Sequence, residues 1–145
     1  MMIVRKNEAF TMIEIMVVLF IIGMMATLGG PRILRFMSMG KETGTTAYLN
    51  ELKSALALYE MHIGHYPTKQ EGGLRALVDR PTVQAVAAKW DGPYIDEEKL
   101  NDKWGNEIVY NCPPEKHKDI YRYFEVISYG ENGEDGGGKE LHSGG

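Results

Sequence analysis

The chain has 145 residues and a formal net charge of −4, from 20 acidic and 16 basic side chains. The charge is unevenly placed: residues 1–50 hold five bases against three acids, and residues 51–145 hold 11 bases against 17 acids. An acidic body argues against nucleic acid as a partner, since it lacks the cations that displace phosphate counterions, and the single cysteine, Cys112, excludes an internal disulfide framework.

Residues 15–30 carry no charge, and the apolar stretch reaches back to Phe10 if Glu14 is included, 21 residues in all. As a helix rising about 1.5 Å per residue, that stretch would measure ~31 Å, close to the hydrocarbon thickness of a bilayer. A secretory signal peptide is the alternative, because Arg5 and Lys6 precede the run. The run is longer than an ordinary signal core, and Gly-Gly-Pro at 29–31 offers no small-x-small cleavage pattern. A membrane helix is therefore expected, with the Arg5–Lys6 side in the cytoplasm. Arg32 and Arg35 on the far side weaken that charge bias.

Glu14 is the odd residue in the run. Thr11-Met12-Ile13-Glu14 fits a capping box, with Thr11 as N-cap and Glu14 reaching back to its N–H. A carboxylate in an apolar segment nonetheless costs about 2.5–3.5 kcal/mol near the bilayer centre, and such residues usually have a partner. A chain cut just before Phe10 would present a new α-amino group four residues away, the obvious counter-charge in the same subunit or a neighbour.

Lys6-Asn7-Glu8-Ala9, followed by Phe10-Thr11-Met12-Ile13-Glu14-Ile15-Met16-Val17-Val18, resembles the leader and helix start of type IV pilins and type II secretion pseudopilins. The resemblance implies that a prepilin peptidase cleaves between Ala9 and Phe10 and methylates the new terminus at Phe10. It also makes Glu14 the fifth mature residue, an assembly residue. Relatives usually carry Gly where this chain has Ala9.

Beyond the run, Pro31 is expected to kink or locally melt a continuing helix, and Gly40 and Gly44 lower helix propensity across 32–47. From Tyr48 onward Leu52, Leu56, Tyr59 and Ile63 recur at helical spacing, while Glu51, Lys53, Ser54 and Glu60 fall elsewhere. This is the core face of a helix packed on a small sheet. A short helix is predicted over 73–79, burying Leu74, Leu77 and Val78 and closed by Pro81. Strands are predicted at 108–112 and 121–128, joined by the turn-rich segment 113–119. Cys112 reads as a small buried side chain on the first strand.

His62-Ile63-Gly64-His65 spells a nucleotide-binding signature, but it ends a helix and runs into Tyr66-Pro67, so it reads as a helix terminus and loop. As a zinc site the pair lacks further ligands. There is no serine nucleophile elbow, zinc-protease motif or phosphate loop, and no catalytic residue is expected.

The stretches 64–68, 71–78, Trp90-Asp91-Gly92-Pro93-Tyr94-Ile95, Asp102-Lys103-Trp104-Gly105-Asn106 and 123–133 are similar to the type II secretion major pseudopilin (protein G) family. Lys103 stands where that family commonly has proline. Fibre-forming type IV pilins commonly carry two cysteines, so the lone Cys112 favours the pseudopilin branch. The resemblance also implies Ca²⁺ in the C-terminal loop, with the Tyr129 carbonyl and Asn132 at two ligand positions. The family's later Asp pair falls near Leu141 and Ser143, and the acids Asp135 and Glu140 close by are taken as the further ligands. Oxygen side chains separated by glycines suit a hard cation. The alternative is a flexible acidic tail, with seven Gly among the last sixteen residues.

The expected fold is α+β and pilin-like: a long N-terminal helix, membrane-spanning in its first half, packed on a small antiparallel sheet. Residues 1–9 form a cleaved leader, 10–31 a transmembrane and assembly helix, 32–64 its periplasmic continuation, and 65–145 a small globular domain. The implied function is a structural subunit of a periplasmic pseudopilus, anchored by a single pass in the inner membrane. Its implied partners are other copies of itself, prepilin peptidase, minor pseudopilins and the inner-membrane secretion platform. A type IV pilin of a surface fibre is the alternative, and a membrane-tethered enzyme the third reading.

Overall fold

The computed structural model of the chain describes residues 10–136 and 140–145, without the side chains of 28–31. It divides into two compact units, one ending at Met37 and the other spanning Ser38–Gly145. Helix α1 (Met12–Ile63) belongs to both.

In the first unit, every residue from Phe10 to Thr27 is exposed, the large apolar side chains included. The local melting expected of Pro31 is not seen, and Pro31, Gly40 and Gly44 all lie within α1. A proline removes one backbone bond and crowds one carbonyl, at about 3 kcal/mol in water. Turns on both sides carry a helix of 52 residues across that local loss.

In the second unit, α1 turns Leu49, Leu52, Leu56, Tyr59 and Ile63 into the core, none more than 5% exposed. The alternating spacing of three and four residues keeps them on one stripe. Glu51, Lys53, Ser54 and Glu60 face solvent, as their positions predict. The helix stops at Gly64, whose N–H donates to the Glu60 carbonyl at 2.7 Å and whose φ of +102° is the left-handed conformation that glycine tolerates.

Short elements complete the body: 3₁₀ turns at Lys69–Glu71, Gly73–Leu77 and Glu97–Leu100, the one-turn helix α2 (Gln84–Ala87), and strands β1 (Val109–Asn111), β2 (Glu125–Ser128) and β3 (Leu141–Gly144). The strands form one antiparallel sheet in the order β1-β2-β3, with Val109 opposite Ile127 and Val126 opposite Ser143. Leu74, Leu77, Val86, Ile108, Phe124 and Val126 share one core with the helix stripe.

Several elements differ from their sequence-based prediction. The helix expected at 73–79 is the 3₁₀ turn Gly73–Leu77, which buries Leu74, Ala76 and Leu77 and leaves Val78 half-buried. It starts from two left-handed glycines, Gly72 and Gly73, and Pro81 follows closely, so the space admits only a tight turn. Cys112 lies just past β1 and is half-buried, since Pro113 has no N–H to extend the ladder. β2 begins only at Glu125, because the N–H groups of Arg122 and Tyr123 donate to the Gly145 carbonyl at 2.9 and 2.8 Å. β3 was not predicted at all. A Cβ on Gly144 would overlap the Phe124 carbonyl and the Tyr121 ring, so this close strand pairing requires glycine there.

Candidate functional site

Two regions carry the expected functional residues. At the start of α1, the Thr11 hydroxyl accepts from the Glu14 N–H at 3.3 Å, and the Thr11 carbonyl accepts from Glu14 and Ile15 at 3.1 and 3.3 Å. Thr11 thus starts the helix as its spacing from Glu14 predicts. Phe10 stands just before the helix and is 78% exposed; its neighbour Ala9 lies outside the described residues. The Glu14 side chain is exposed on an otherwise apolar helix surface. Among the described residues, α1 is the one helix long and apolar enough to cross a membrane. Each Å² of such surface is worth about 25 cal/mol when it leaves water, so this segment suits lipid or other apolar helices.

The second region is the C-terminal loop between β2 and β3, framed by two buried carboxylates, Asp102 and Glu125. Asp102 accepts from the N–H groups of Trp104 (3.0 Å) and Asn106 (2.8 Å) and from the Ser128 hydroxyl (2.6 Å). The Asn106 amide donates onward to the Gly130 carbonyl at 2.7 Å, which fixes the start of the loop. Glu125 is fully buried in β2 and accepts from the Asn111 amide and from the N–H groups of Glu115, Lys116 and His117, at 2.7–2.9 Å. The His117 ring lies 3.0 Å from the same carboxylate. Burial alone would raise the Glu125 pKa, but the converging donors of Lys116, Asn111, Glu115 and His117 outweigh it and hold the group at about 2.

Of the residues expected to bind calcium, Tyr129 is half-buried, Asn132 is exposed at the end of the 3₁₀ turn Gly130–Asn132, Asp135 is exposed, and Glu140 is half-buried. The structure brings Asp135 and Glu140 together, but on an ammonium group. Lys116 Nζ bonds Asp135 Oδ1, lies 3.3 Å from Glu140 Oε2, and sits 4.9 Å from the centre of the Tyr129 ring. Among the described residues, no group of three or more His, Cys, Asp or Glu side chains could hold a metal ion. Ca²⁺ takes six to eight oxygen ligands, and here a lysine ammonium stands between the two acids.

Neither histidine of the 62–65 run serves a common site: His62 Nδ1 faces the Tyr94 hydroxyl at 3.1 Å, and His65 Nε2 pairs with Glu71 at 2.8 Å. Sequence reasoning missed Asp102, Asn106, Glu125 and Lys116 as organisers. An acid inside the apolar run Phe124-Glu125-Val126-Ile127, and an Asp and Asn flanking Gly105, were available signals. Lys116 offered none, being 19 and 24 residues from its partners.

An apolar N-terminal helix that supplies the core face of a body with a three-stranded meander is the architecture of a pilin-like subunit, and residues 4–29 match the prokaryotic N-terminal methylation motif. Residues 32–143 match the type II secretion system protein G family, and the chain belongs to that family. It is 32% identical to the type II secretion system core protein G of Pseudomonas aeruginosa, over 92% of this chain and 89% of that one. The Escherichia coli K12 core protein G is also 32% identical, over 90% of this chain and 86% of that one. A crystal structure of the major pseudopilin from the type 2 secretion system of enterohaemorrhagic E. coli superposes with a TM-score of 0.60 at 26% identity, covering 78% of this chain and 94% of that one. The chain is thus a major pseudopilin, favoured over a type IV pilin, and its family is a structural one.

Proposed function

We propose that residues 1–9 are a cytoplasmic leader, removed between Ala9 and Phe10 by a prepilin peptidase that then methylates Phe10. The mature subunit is anchored in the inner membrane through residues 10–31, with its acidic body in the periplasm. Subunits stack through their N-terminal helices into a pseudopilus, together with minor pseudopilins and the inner-membrane platform. The chain acts by assembling and has no catalytic residue. The observation that carries this reading is the continuous exposure of apolar side chains from Phe10 through Met25. Lipid covers that surface before assembly and neighbouring helices cover it afterwards.

Glu14 pairs with the methylated amine of a neighbouring Phe10 and so sets the axial register, as a buried polar pair can do. Glu14→Ala is expected to be cleaved and inserted but to yield no filaments by shearing and electron microscopy. Normal filament yield would overturn the pairing. Intact-mass measurement of membrane-extracted protein checks the processing: nine residues are lost and 136 remain, beginning with a methylated Phe. A product retaining Met1 or Met2 in cells with active peptidase would overturn it.

A further inference from the structure

We propose that the Lys116 ammonium takes the place of a divalent cation in the C-terminal loop, so that this loop is held in its fold without calcium. Lys116 is well placed for the role. Its own N–H donates to the fully buried Glu125 carboxylate at 2.9 Å, between the equivalent bonds of Glu115 and His117. The base of the side chain is thereby fixed to β2. The ammonium then reaches Asp135 on one side of residues 137–139 and Glu140 on the other, 3.3 Å from Glu140 Oε2. The Tyr129 ring face adds a cation–π contact at 4.9 Å to its centre. One positive charge thus links the turn after β1 to both flanks of the loop, which is the cross-linking a bound metal would otherwise supply.

The second oxygen of Glu140 is buried without a hydrogen-bond partner, with His117 Nε2 3.6 Å away. A divalent ion entering here would have to displace the ammonium or lie against it, and like charges at that range repel. The ammonium bonds both carboxylates and offsets one of their two negative charges, so the loop keeps its fold whatever the calcium concentration around it.

The test is thermal unfolding of the full chain in detergent micelles, in millimolar calcium and in chelator. Wild-type protein should melt at the same temperature in both. Lys116→Ala should melt lower in chelator by about 4 °C, the scale on which losing an ion-pair hub moves a domain of this size. Calcium should restore part of that loss, because the two acids are then free to bind it, and Lys116→Arg should behave as wild type. A wild-type melting temperature that rises by several degrees with calcium overturns the proposal, and this comparison needs no variant. Lys116→Ala melting as wild type in chelator overturns it equally. Both readouts follow the body and not the filament, so their failure is separate from failure of the assembly reading.

Discussion

Glu125 keeps a negative charge where it has no solvent exposure, because backbone N–H groups and the Asn111 amide replace the water it lost. Its pKa of about 2 in the folded chain lies below its ordinary value of 4.5. The unfolded chain therefore binds this proton first as pH falls, and stability falls with it. The contribution, roughly 3 kcal/mol, is complete above about pH 5 and is lost as pH drops toward 2. Glu125→Gln should lower stability by roughly 2–3 kcal/mol at pH 7, and the gap from wild type should narrow at pH 3. Guanidinium unfolding of the full chain in micelles at both pH values checks this, and an equal gap at the two would refute it. The carboxylate acts as an organiser of the 113–119 turn, and that turn presents Lys116 to the loop.

At the scale of elements, the helix and the segment after Leu100 are tied by a bond that a proline could not make. The Lys103 N–H donates to the Thr45 hydroxyl at 3.1 Å, and Thr45 is fully buried on α1. Lys103 also lays its ammonium over the Tyr48 ring, 3.9 Å from the centre. Thr45→Val keeps the side-chain shape but strands a donor, at an expected cost of about 1–3 kcal/mol. Lys103→Pro strands the buried hydroxyl instead. The double variant should lose clearly less than the sum of the singles, since both remove one interaction. A denaturation cycle measures that coupling, and additive losses would show that the bond contributes nothing. β3 belongs to this scale too. Leu141-His142-Ser143-Gly144 has little intrinsic strand preference, yet it pairs residue by residue along β2, which offers an unpaired edge on that side.

For the whole molecule, the exposed apolar segment of α1 and the buried core of the body are built from different residues. Leu56 is fully buried in the body's core, so Leu56→Ala should destabilise the body by about 2–5 kcal/mol. Under the proposed processing and anchoring, leader cleavage and insertion depend on residues 1–31 and should proceed unchanged. Limited proteolysis reads the first and intact mass the second; an uncleaved or uninserted Leu56→Ala chain would contradict this separation.

The features legible in the sequence were those built from neighbours along the chain. The apolar run, the Thr11–Glu14 helix start, the Leu52–Leu56–Tyr59–Ile63 stripe and the Gly64 stop all follow from periodicity and local backbone preference. So did the leader-and-helix pattern that marks the family. Tertiary structure alone decided the pairing of β3, the Asp102 and Asn106 anchor, and the meeting of Lys116 with Asp135 and Glu140. Those outcomes depend on which edge, donor or charge the fold leaves open. Glycines and acids in the tail suit a metal loop, a flexible tail or a lysine-bridged strand return equally well. The meeting of Lys116, from a turn 19 residues earlier, with Asp135 is a contact that no local pattern announces.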